Sequence, residues 1–177
     1  TQKEDLAILL YTIIEIENPA IKNFFLVAFA QILKTCSIWM QKSVKPTRDM
    51  QKKEYHVLST FVQQIKKMLK KNDAFYKMLP KSTVQNIDEY RTVVCQDARL
   101  LPCQNEKAQL IVTSPPYVTS YEYADLHQLP LYWLGHLEEL AVFRKKFIGS
   151  AYTDRPITNL NSPIAQQIVQ QLGNNKK

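Results

Sequence analysis

Gln109-Leu110-Ile111-Val112-Thr113-Ser114-Pro115-Pro116-Tyr117 is the stretch on which the expected fold turns. A run rich in apolar and β-branched side chains stops at two prolines. Proline fixes its own φ and pushes the residue before it toward an extended conformation. The run therefore predicts a short buried strand whose end is held rigid. Upstream, Arg91-Thr92-Val93-Val94-Cys95 has the same character, and the short connection over 96–108 makes the two runs neighbours in one sheet. Ligands of open α/β sheets bind at the carboxyl ends of the strands, which marks the proline turn as a candidate reaction site.

The residues around these runs read as helices. Leu6, Leu9, Leu10, Ile13 and Ile16 give 2–17 a broad apolar face. Asn18-Pro19 then supplies an N-cap and a first-turn proline for a second helix over 20–40, apolar nearly all round. Lys45-Pro46-Thr47 is a break. A third helix starts at 48–50 and ends between 71 and 79, with Tyr55, Leu58, Phe61, Val62, Ile65, Met68 and Leu69 at three-to-four spacing. Pro80 closes this half. Further helices are expected over 123–134 with Pro130 as a kink, over 137–147 after Gly135, and over 164–172 behind the cap-like Ser162-Pro163. The expected fold class is α/β: a partial Rossmann-like sheet with a helical N-terminal half. Residues 1–80 are its helical region and 81–177 its strand-bearing part, in one structural unit.

A net charge of +7 and a pI near 9.3 favour a polyanionic partner through phosphate contacts. The lysines of Lys66-Lys67 and Lys70-Lys71 serve equally well as a solvated helix face. Cys36, Cys95 and Cys103 are odd in number and lack Cys-x-x-Cys spacing, which argues against a zinc site or a disulfide scaffold and for a reducing cytoplasm. No metal is expected, and the scattered His56, His127 and His136 read as surface or core residues. The apolar stretch 24–33 is interrupted by Gln31 and falls short of a membrane span. With no targeting pattern and Thr1 in first place, the chain reads as a trimmed piece of something longer, one domain or part of one.

The turn residues suit one chemistry. The exocyclic amine of a nucleobase is a poor nucleophile, because its lone pair is delocalised into the ring, and it becomes competent when acceptors hold its hydrogens. The Ser114 hydroxyl and the Pro115 carbonyl can be those acceptors, Pro116 stiffens the turn, and Tyr117 can stack on a base rotated out of the duplex.

Thr113-Ser114-Pro115-Pro116-Tyr117 resembles motif IV of the amino-group DNA methyltransferases, its serine being closer to the N4-cytosine type than to the N6-adenine type. Asp97-Ala98-Arg99 upstream, and Ser120 to Leu126 with Trp133-Leu134-Gly135 downstream, resemble the flanks of that motif in site-specific DNA methylases of restriction-modification systems. The resemblance implies S-adenosylmethionine as methyl donor and double-stranded DNA as substrate, with Asp97 on the cofactor's adenine amine; a turn-forming aspartate is the other reading. Tyr121, Tyr123 and Asp125 could line the flipped-base pocket or order the loop, and aromatics after a turn serve equally as core anchors. Arg144, Lys145 and Lys146 contact phosphates or else form a solvated helix end. Pro102-Cys103-Gln104 matches the nucleophile loop of C5-cytosine methyltransferases, but neither its lead-in nor a Glu-Asn-Val partner is present.

Such enzymes hold their cofactor largely on a glycine-rich turn. The glycines here are Gly135, Gly149 and Gly173, and none follows a strand. The cofactor site is therefore expected to be incomplete, with a second chain or a missing segment supplying the turn and the isolated chain inactive. The alternative is a non-catalytic subunit or methylase remnant that binds DNA or a partner.

Overall fold

The structure is a computed structural model and describes residues 1–43, 45–97, 103, 107–114, 123–147 and 162–173. Its helices are α1 (Gln2–Ile14), α2 (Pro19–Ile32), α3 (Val57–Met78), α4 (Lys81–Gln85), α5 (Tyr123–Trp133), α6 (Leu140–Arg144) and α7 (Pro163–Gly173), with a 3₁₀ turn at Ile87–Glu89. Thr1–Pro115 with Tyr123–Glu138 form one compact unit, and Pro116–Glu122 with Glu139–Lys177 form a second.

The expected α/β fold with a partial Rossmann-like sheet is overturned. Helices make up 59% of the described residues, and these residues contain no strand and no sheet. Among the described residues one isolated bridge joins Trp39 and Arg48, far in sequence from either expected strand. Both of those runs lie in irregular backbone. Val93 is 91% exposed and Val112 86% exposed, so neither run has the neighbour that would bury it. A β-branched run becomes a strand only when another strand completes its ladder and covers its side chains. Propensity alone does not offset the entropy of ordering the backbone.

The first unit is built on α1, α2 and α3. Leu6, Leu10 and Ile13 from α1 meet Ala28, Phe29 and Ile32 from α2 and Val57 and Phe61 from α3, with Leu33 and Cys36 closing the cluster. Leu129, Trp133 and Leu134 pack against it from α5 and its end. Phe29 is fully buried, and its ring meets Trp133 edge-on at 5.8 Å between centroids. Trp133 is thus a packing residue.

Local signals placed several ends. The Asn18 side chain accepts from the backbone N–H groups of Ala20 and Ile21 at 3.0 and 3.1 Å, a cap worth about 1 kcal/mol. Ser162 Oγ accepts from the Ala165 N–H at 3.3 Å ahead of Pro163. α5 closes at Gly135, whose φ of 70° suits a residue without a Cβ. The His136 N–H reaches the Leu131 carbonyl at 2.9 Å and the Gly135 N–H reaches that of Tyr132 at 3.3 Å, the paired bonds of a Schellman ending.

Two helix boundaries differ from expectation. α2 stops at Ile32 rather than running on to 40. Beyond it, 33–52 doubles back, with Met40 N–H on the Thr47 carbonyl at 2.8 Å and Asp49 N–H on that of Ile38 at 2.7 Å. α3 starts at Val57 rather than 48–50, capped by the His56 ring, which accepts from the Ser59 N–H at 3.3 Å. The Asp49 carboxylate accepts from Gln51 N–H at 3.1 Å in a turn.

Burial pushes the Cys36 thiol above its ordinary value, whereas Cys95 and Cys103 are exposed. A disulfide reagent is therefore expected to modify Cys95 and Cys103 promptly in the native protein. Cys36 should react at least about a hundredfold more slowly until denaturant is added. Three thiols titrating at one rate would show the α2–α3 core to be open.

Candidate functional site

Ser114 lies exposed at the end of the irregular 109–113 run, and Asp97 is exposed just beyond 91–95. No sheet joins the two runs among the described residues, so the layer expected to hold the Asp97 loop beside the proline turn is not what positions them. Pro115, Pro116, Tyr117 and Tyr121 lie outside the described residues. Tyr123 and Asp125 form the first turn of α5 and are half-buried. Ala124 between them is buried, which fixes this turn against the first unit.

Arg144 ends α6 and Lys145 is its C-cap, with Lys146 directly after, in the second unit. Cationic side chains at a helix C-terminus are favoured by the carbonyl dipoles there, and the two lysines are exposed. Their placement therefore suits a helix end as well as a phosphate. On α3 the polar arc carries Lys66, Lys67, Lys70, Lys71 and Lys77, all exposed. Among the described residues no group of three or more His, Cys, Asp or Glu is placed to hold a metal ion. None of the described helices is long and apolar enough to cross a membrane.

A concave feature absent from the sequence reading lies between α2, Trp39 and α5. This cleft of about 540 Å³ is walled by Val27, Ala30, Leu126 and Leu129, with Gln31 and His127 as polar groups. Its size suits a small organic molecule. The Lys34 ammonium beside it donates to the Ser43 carbonyl at 2.8 Å and lies 5.5 Å from the Trp39 ring centre. Its ammonium is thus engaged by the loop, while the residue also forms part of the cleft wall.

A second unread feature is Lys52. Its ammonium donates to the carbonyls of Lys34, Ser37 and Trp39 at 2.6, 2.8 and 2.7 Å. These are carbonyls that the chain leaves without helical partners where α2 gives way to the loop. Burial pushes the Lys52 ammonium below its ordinary value, with the Cys36 thiol and Asp49 acting in the opposite direction. A lysine after a break carries no sequence signal for such a role, because the carbonyl cage exists only once the loop has folded back.

No family profile, no curated protein and no solved structure matches the chain.

Proposed function

We propose that this chain is the target-amine part of an S-adenosylmethionine-dependent DNA methyltransferase acting on an exocyclic base amine, N4 of cytosine in preference to N6 of adenine. The observation that carries the proposal is the sequence Thr113-Ser114-Pro115-Pro116-Tyr117, in which the hydroxyl and carbonyl acceptors and the stacking ring that an amine methylation needs are contiguous. The exposure of Ser114 supports it, since the hydroxyl must reach a base. The exposed Leu110, Ile111 and Val112 before it are apolar surface of the kind a second polypeptide covers. Asp97 is the candidate contact to the cofactor. Tyr121, Tyr123 and Asp125 are candidates for the base pocket, and Arg144, Lys145 and Lys146 for phosphates.

The cofactor half is supplied from elsewhere in this reading. Gly135 is occupied in ending α5, and Gly173 ends α7, so neither forms a cofactor turn. Calorimetric titration of the isolated chain with S-adenosylmethionine is expected to give no binding heat. Micromolar binding would mean that the chain holds a cofactor site of its own. Co-expressed with the polypeptide that supplies the glycine-rich turn, the chain is expected to transfer labelled methyl groups to DNA. Ser114→Ala or Tyr117→Ala should lower that rate about tenfold to a hundredfold, and an unchanged rate would sink the methylation reading.

One observation favours a second reading, a non-catalytic DNA-binding subunit: the exposed lysines of α3. In that case affinity for duplex DNA falls steeply with salt and is indifferent to Ser114→Ala.

A further inference from the structure

The loop that closes one side of the cleft between α2 and α5 carries positive charge that nothing in the structure neutralises. Over 34–53 the chain has Lys34, Lys42, Lys45, Arg48, Lys52 and Lys53 against Asp49 alone. Two of these ammonium groups, Lys34 and Lys52, are half-buried. Lys34 donates to the Ser43 carbonyl, and Lys52 to the carbonyls of Lys34, Ser37 and Trp39. Among the described residues neither has a carboxylate as ion-pair partner. A carbonyl satisfies a donor without cancelling its charge. Burial, and with it the charge of Lys34, push the Lys52 ammonium below its ordinary value, against the Cys36 thiol and Asp49. Half-buried cations without a counter-charge favour an anion beside them.

The cleft offers the place for one. Its ionisable lining groups are Lys34 and His127, both basic, and neither Asp49 of the loop nor Asp125 of α5 is on its wall. A cleft lined by one sign of charge between low-dielectric walls concentrates the opposite charge. The Gln31 and His127 side chains on the wall are exposed and make no hydrogen bond among the described residues, so both are open to a ligand. Lys34 gives one of its three hydrogens to Ser43 and keeps others for an acceptor. The remaining wall is apolar, with Val27 and Ala30 from α2 facing Leu126, Leu129 and Pro130 from α5. An inorganic anion would leave that apolar surface wet, whereas about 540 Å³ has room for a ring system.

We propose that this cleft binds a small organic acid. Its carboxylate lies at Lys34, with the Gln31 amide as a further donor, and its apolar body lies between Val27 and the Leu126–Pro130 wall. An organic cation of the same shape would meet the uncancelled charge of Lys34, and a neutral molecule would gain the apolar burial alone. The site is independent of the methylation reading, since neither Ser114 nor Asp97 lines the cleft.

Calorimetric titration of the whole chain with 2-naphthoate tests it, with 2-naphthamide as the neutral match of the same shape. The acid is expected to bind with a Kd of about 100 μM at low salt, and the amide at least about tenfold more weakly. Gln31→Glu places a carboxylate on the wall at an exposed position. It should weaken the acid at least about tenfold and leave the amide unchanged. Val27→Trp, at a position 52% exposed, should fill the cleft and abolish binding of both, with helical circular dichroism unchanged. Absence of 2-naphthoate binding at about 1 mM, an amide that binds as tightly as the acid, or acid binding indifferent to Val27→Trp would each overturn the proposal.

Discussion

Replacing Phe29 by alanine is expected to lower the free energy of unfolding by about 4 kcal/mol, the largest effect of any single substitution considered for this chain. Phe29 is fully buried at the centre of the α1–α2–α3 cluster. Its ring is also one of the contacts through which α5 joins that cluster, by way of Trp133 at 5.8 Å. Truncation therefore removes the transfer free energy of a whole ring, leaves a cavity between three helices, and takes away the edge-on aromatic contact. Ile32 and Leu33, also almost fully buried beside it, cannot collapse into the space without losing their own packing. Urea denaturation followed by circular dichroism measures the loss, and Trp133 fluorescence reports separately on the docking of α5. A cost below about 1 kcal/mol, less than a well-packed core ring can lose, would show that Phe29 is not packed as described.

Lys52→Met is expected to cost about 2 to 3 kcal/mol. Methionine keeps the length and apolar stem of lysine but has no donor, so the carbonyls of Lys34, Ser37 and Trp39 lose the ammonium that gathers them. Trp39 should then loosen, because its carbonyl is one of the three and its indole N–H is held by the Lys45 carbonyl, at 2.9 Å in the same loop. A red-shifted Trp39 emission in a Trp133→Phe background would report this. The pH dependence has a definite sign. Burial holds the Lys52 ammonium below the ordinary lysine value of 10.5. Between that lowered value and 10.5 the unfolded chain keeps a proton that the native chain releases. The Lys52 contribution to stability therefore rises with pH through this window. Lys52→Met should remove that rise; a variant with the parent stability and the parent alkaline slope would show the three bonds to be of no consequence.

The elements that sequence placed well are those decided within a few residues. Asn18-Pro19 opens α2 and Ser162-Pro163 opens α7, because a cap and a first-turn proline act on the neighbouring N–H groups whatever the rest of the chain does. The end of α2 was not legible in this way, since nothing in 33–40 forbids helix. What stops it is a hairpin-like loop held by Lys52, a residue some twenty positions after the last turn.

The candidate site divides the same way. The chemistry proposed for Ser114-Pro115-Pro116-Tyr117 rests on contiguous residues, so the proposal, the scarcity of glycine and the basic charge of α3 all come from the sequence alone. Whether Arg91-Thr92-Val93-Val94-Cys95 and Gln109-Leu110-Ile111-Val112-Thr113 become strands is a property of pairs. Every ladder bond needs a partner from elsewhere in the chain, and among the described residues neither run has one. Only the tertiary structure decided that these apolar runs lie exposed, that the core belongs to α1, α2, α3 and α5, and that α3 keeps one apolar stripe inside and another at the surface. Periodicity shows that a helix has an apolar arc; packing alone determines how much of that arc the chain itself covers.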